Sequence, residues 1–183
     1  FSAKNIIRDF RDWRIEKTQT RFRYTRSTQP LAETALTYKD GSPKTFVKRG
    51  NLGTMFIEGT PSEKYLYENI AFDSPIEKDN IMIPVDQVIA YCKIPRSSIA
   101  IPTVVGESYS PDFLYVVRSR DGAKIIYIVI ESKLMENKSN LRGTERAKIK
   151  CAETYFEQLR MDGYKIYFAT QLDNKSIKQI IDE

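Results

Sequence analysis

The sequence predicts an α/β fold in which helices flank a mixed sheet. Three observations carry that expectation. From Ser74 onward the elements read helix, strands, long helix, strand. The apolar run Ile125 to Ile130 is unbroken, the mark of a strand buried on both faces and hence central. The run before it, Phe113 to Val117, is joined to it through Asp121-Gly122, a strong hairpin signal.

Composition narrows the chemistry. The 183 residues suffice for one domain with a core and an appendage. No apolar run approaches the roughly 18–20 residues of a membrane span, and the start lacks a signal-peptide apolar region. Cys92 and Cys151 are too few and too far apart for a disulfide framework or a zinc site. They read as buried free thiols, which fits an intracellular setting. There is no His, which excludes Ser-His-Asp and Cys-His catalysis, His-ligated zinc and a His general base. The net charge of +5 is uneven. Residues 1–50 hold 12 basic and 5 acidic residues, and the remainder holds 17 and 19. The basic excess therefore belongs to a lead-in, either as a phosphate contact or as an ordinary solvated surface.

Taken in order, Ile6, Ile7, Phe10 and Trp13 have helical spacing within residues 3–13. Thr18 to Thr25 alternates Arg21, Phe22, Arg23, Tyr24 and reads as a strand. Its arginines are either a stripe for a DNA backbone or charges that guard a sheet edge. Ser27 to Gly53 reads as loops and short strands around Asp40-Gly41 and Ser42-Pro43. A boundary near residue 45 separates the lead-in, 1–45, from the main domain, 46–183. Glu63 to Ile70 reads as a short helical turn. Ser74 is a helix N-cap, with Pro75 at the first position and Glu77 completing a capping box. Pro84 ends that helix by about residue 82. Glu77 has two readings, a cap and a carboxylate that reaches a site at the hairpin.

Gln87 to Ile94 reads as a strand, and Ser98 to Val105 as an edge or irregular strand broken by Pro102. Met135 to Asn140 is loop-like. Leu141 to Leu159 is a helix with Ile149, Ala152, Phe156 and Leu159 on its core stripe. Near its start Lys148 either pairs with Glu145 or reaches a phosphate. Lys165 to Thr170 is a strand, and Ser176 to Ile181 a short helix.

The hairpin concentrates the chemistry. With a two-residue loop at Asp121-Gly122, paired residue numbers sum to 243. Asp112 then lies opposite Glu131 and on its face, shared by Lys133. Opposed carboxylates need compensation, and a divalent cation such as Mg²⁺ supplies it. A carboxylate pair with Mg²⁺ and a lysine suits phosphodiester hydrolysis. The bland reading is an ion pair at a strand end.

Pro111-Asp112 followed by Glu131-Ser132-Lys133, in this order of elements, resembles the PD-(D/E)XK nuclease superfamily and its restriction-endonuclease-like α-β-β-β-α-β core. The stretches 109–113, 130–133 and 141–152 resemble the C-terminal endonuclease domain of the Res subunit of type III restriction enzymes. So do 34–37, 65–67 and 72–74. The likeness covers roughly residue 30 to the end. It implies a site-specific deoxyribonuclease using one or two Mg²⁺ ions. Asp112, Glu131 and the backbone carbonyl of Ser132 would be ligands, and Lys133 would position or activate water. Glu77 matches the helix carboxylate that many superfamily members place near the metal. Lys148, Arg21 and Arg23 are candidate DNA contacts. The implied partners are double-stranded DNA, a methyltransferase subunit and an ATP-dependent helicase-like motor, in the cytoplasm of a bacterium or archaeon. No phosphate-loop motif occurs in this chain, so ATP would serve only that motor. With no initiator Met, an excised C-terminal domain is expected, its basic lead-in facing the motor. Ala32-Glu33 stands where the family pattern has His-Pro. The alternatives are a repair or junction-resolving nuclease of the same superfamily, and a non-catalytic DNA-binding or scaffolding domain. The presence of Asp112, Glu131 and Lys133 argues against the last.

Overall fold

A computed structural model describes residues 3–18, 22–30, 32–83, 85–119, 122–131, 143–172 and 175–182. Helix α1 spans Ala3–Thr18. It contacts the long helix α3, Gly143–Met161, but Ile6, Ile7, Phe10 and Trp13 stay exposed. The strand expected at 18–25 is not seen among its described residues, of which 18 ends α1. Residues 22–28 have no regular structure. The alternating aromatics explain this: Tyr24 turns onto α3, edge-on to Tyr155 at 5.2 Å, and its hydroxyl donates to the Pro102 carbonyl. Packing against a helix has replaced a place in a sheet.

The helical turn expected at 63–70 is also absent. Met55–Ile57 forms β1 and Ile70–Phe72 forms β2, paired antiparallel. Gly53 permits the approach, since a Cβ there would lie 2.3 Å from Phe72 N. Helix α2 runs Pro75–Met82 from its Ser74 cap, whose hydroxyl accepts from Glu77 N at 3.3 Å. Pro84 lies outside the described residues.

The main sheet has the order β3 (Val88–Lys93), β6 (Phe113–Arg118), β7 (Lys124–Glu131), β8 (Ile166–Gln171). Its first two pairings are antiparallel and β7–β8 is parallel, so the sheet is mixed. The irregular segment after β3 gives only two-residue strands, β4 (Ile101–Pro102) and β5 (Ser108–Tyr109), paired with each other. Helix α4 is Ile177–Asp182. Ile81 of α2 and Ile177, Ile180 and Ile181 of α4 pack with Tyr91, Phe113, Tyr115 and Val117. Ala152 and Phe156 of α3 pack with Ile94, Leu114 and Phe168. Side chains alternate along strands, so these are the two faces of one sheet. Burial of β7 is less complete than its apolar run predicts: Ile126, near the hairpin, is 37% exposed.

The hairpin register differs from the expected one. Phe113 pairs with Val129 and Arg118 with Lys124, so paired numbers sum to 242. The loop has three residues. Gly122 N bonds Ser119 O at 3.0 Å, and Ser119 N bonds Ala123 O at 2.9 Å. Gly122 takes φ +82, the left-handed position that closes a three-residue loop as a bulge. The glycine signal was sound, but the glycine ends the loop instead of sharing a two-residue one.

Candidate active site

That one-residue difference removes the simple cross-strand argument. The β6–β7 ladder ends at Phe113 and Val129, and its register, carried on, would set position 111 and not Asp112 opposite Glu131. Asp112 stands in a bend just before β6, where strand alternation no longer sets its direction. It is fixed through its main chain, because its carbonyl accepts from Ile94 N at 2.7 Å.

What joins the groups is a cavity of about 280 Å³, lined by Asp112, Asp73, Glu77, Lys93, Arg96 and the serines 97, 108 and 110, among others. Lys93 ends β3 and pairs in register with Phe113, which pairs with Val129. Glu131, two residues on, pairs with Gln171 of β8. The register position of Glu131 is thus on the sheet face of Lys93 and α2. The Glu131 side chain, Ser132, Lys133 and Arg21 lie outside the described residues.

Sequence reading passed over Lys93, Asp73 and Arg96. The Lys93 side chain is only 4% exposed. Its ammonium donates to Glu77 Oε2 at 2.5 Å and to Asp73 Oδ2 at 3.0 Å. Arg96 Nη2 donates to Asp73 Oδ1 at 2.7 Å. Glu77 Oε2 also accepts from Asp73 N at 2.6 Å, so the cap and the ion pair share one oxygen. Burial by itself raises the Asp73 pKa. The hydrogen bonds from Lys93 and Arg96 outweigh it and bring the value from 3.8 down to about 2. The available signal for Lys93 was a lysine closing an otherwise apolar strand, just before Pro95.

Two groups of the interior lie beside the site. Asn80 of α2 and Gln171 exchange amide hydrogen bonds of 2.7 and 3.0 Å in the interior. The buried Tyr109 hydroxyl has no hydrogen-bond partner among the described residues. Burial raises its pKa, and the Asp112 charge raises it further. Burial likewise pushes the Cys92 thiol up to about 11, consistent with an inert free cysteine. The expected Lys148–Glu145 pair gives way to a Lys148–Glu107 ion pair at 2.6 Å. Arg23 is exposed beside the anchored Tyr24.

The donor set fits a hard divalent cation in kind, being carboxylate and hydroxyl oxygen. Among the described residues no three His, Cys, Asp or Glu converge on a metal position. Glu77 and Asp73 are committed to Lys93 and Arg96. The fit therefore rests on Asp112 together with Glu131.

The fold is thus a mixed α/β sheet flanked by helices, with Asp73, Glu77 and Asp112 on a cavity at the end of β3 and the start of β6. A family described as an endonuclease domain matches residues 63–175, and the chain belongs to that family. It is similar to the Res subunits of two type III restriction-modification enzymes, EcoPI of Escherichia phage P1 and EcoP15I of Escherichia coli. Identity to each is 37% over 150 residues, covering 81% of this chain and 15% of the relative. The StyLTI Res subunit of Salmonella typhimurium is 30% identical over 83 residues, covering 45% of this chain and 8% of that protein. The chain thus spans a small fraction of these relatives' length. No solved structure matches it. No described helix is long and apolar enough to cross a membrane.

Proposed function

We propose that this chain is the DNA-cleaving part of a type III restriction enzyme, a PD-(D/E)XK domain that hydrolyses phosphodiesters with Mg²⁺. The carrying observation is that Asp112, just before β6, lines a cavity together with Asp73 and Glu77, in a chain of an endonuclease family. The order α2, β3, β6, β7, α3, β8 around the main sheet supports the superfamily core.

Asp112 and Glu131 would hold the cation, with the Ser132 carbonyl as a further donor. Bound there, Mg²⁺ supplies Lewis acidity toward a phosphoryl oxygen and the attacking water. Lys133 orients that water and takes up its proton or steadies the developing charge. Glu77 holds the Lys93 ammonium through Oε2, which is its first role, and joining the ligands would be a second. Double-stranded DNA is the substrate. Sequence reading by a methyltransferase subunit and ATP use by a helicase-like motor lie in other parts of such an enzyme. Arg21 and Arg23 are its proposed backbone contacts in the lead-in. Lys148 would have to exchange Glu107 for a phosphate.

In the complete enzyme, Asp112→Ala and Lys133→Ala should each lower Mg²⁺-dependent cleavage at least ~100-fold, with DNA binding largely intact. Wild-type cleavage by either variant would remove this site.

A further inference from the structure

We propose that Arg96 grips the phosphodiester backbone of the DNA strand entering the Asp112 cavity, a placement that rests on the nuclease reading above. Arg96 and Ser97 line that cavity and also a neighbouring depression of about 790 Å³, which Lys48 and Asn51 border. The turn that carries them is therefore the wall where the two meet. A strand crossing from one to the other passes over Arg96.

Arg96 is built for this. It stays 54% exposed although it is anchored. Its N–H donates to Asn51 O at 2.8 Å, and Asp73 holds Nη2. A guanidinium has five donors in a rigid fork. Asp73 takes one at close range, and Gly50 O takes another only at 3.5 Å. Asp73 offsets part of the charge, but it also fixes the fork, and a fixed fork loses less entropy on a phosphate. Lys93 cannot serve instead, since it is buried against Glu77. Lys48 is exposed and extends the cationic path.

The turn adds an independent sign. Ser98 N closes it onto Pro95 O at 3.0 Å, and Ser97 adopts φ 61. A non-glycine residue in the left-handed region costs on the order of 1 kcal/mol, and such strain gathers at ligand clamps.

The test is fluorescence anisotropy of a labelled DNA duplex with the 183-residue chain over a series of salt concentrations. Arg96→Gln should cut the slope of log affinity against log salt by about one, the share of one phosphate contact. Lys178→Gln, an equal loss of charge at an exposed position of α4, should leave the slope unchanged. If thermal unfolding shows that Arg96→Gln is not folded, Arg96→Lys carries the test, with affinity lowered several-fold and the slope kept. An unchanged slope in folded Arg96→Gln overturns the proposal. So does unchanged affinity in Arg96→Lys, or a wild-type chain that does not bind DNA. Asp112→Ala should leave the slope intact. A wild type that grips DNA through Arg96 but fails to cleave with Mg²⁺ in the complete enzyme would sink the hydrolytic reading alone.

Discussion

The two walls of the cavity treat their carboxylates differently. On the α2 and β3 wall, Glu77 and Asp73 are matched to Lys93 and Arg96 at distances of 2.5–3.0 Å, and the four formal charges cancel. On the other wall, just before β6, Asp112 is held through its backbone carbonyl. The first arrangement is suited to holding the fold. The second is where the proposed reaction would bring a cation and a phosphodiester to Asp112, which lines the cavity. Three carboxylates thus line one cavity, and two of them, Glu77 and Asp73, are held by Lys93 and Arg96.

Three experiments bear on that contrast. The largest effect on stability is expected for Lys93→Met. It strands Glu77 and Asp73 without their shared ammonium, and losing one partner of a buried pair costs about 3 kcal/mol. A urea melt should show the fall, and adding Glu77→Gln should restore part of it, because less uncompensated charge remains. A loss below about 1 kcal/mol would mean that this wall is not structural. Asp112→Asn should do the reverse. Its stability should stay within about 1 kcal/mol of wild type while cleavage by the complete enzyme is lost, and a large drop in the melt would erase the distinction between the walls.

The smallest effect is acid dependence. The Asp73 pKa is about 2 in the fold, below its ordinary 3.8. A depressed carboxyl contributes stability that is complete above about pH 3.8 and is lost as pH falls toward 2. Asp73→Asn should flatten the stability profile across that window. Because Asp73 is partly exposed, solvent screening keeps the contribution small. A profile as steep as wild type would assign the acid sensitivity to other carboxylates.

Local chemistry was legible where a residue's neighbours in sequence set its conformation. Ser74, Pro75 and Glu77 start α2 in the structure because capping is satisfied within four residues. The stripe Ile149, Ala152, Phe156 is buried because helical spacing places it on one side of α3. Alternation was less reliable. Arg21 to Tyr24 had the period of a strand, but Tyr24 found a helix to pack on instead. The short β1 and β2 were missed because each has three residues and a partner distant in sequence.

By itself the sequence determined the α/β class, the capped α2, the hairpin, the long α3 and the family pattern around Asp112 and Glu131. These depend on spacing, capping and turn residues that act over a few positions. Tertiary structure alone decided the hairpin's register, because one residue more in the loop costs little locally yet shifts every pair. It also decided which acids are matched by cations. Glu77 and Lys93 are 16 residues apart, and Asn80 and Gln171 are 91 apart. Only packing of α2 against the sheet brings such groups within hydrogen-bond range, and burial then requires that each find its partner.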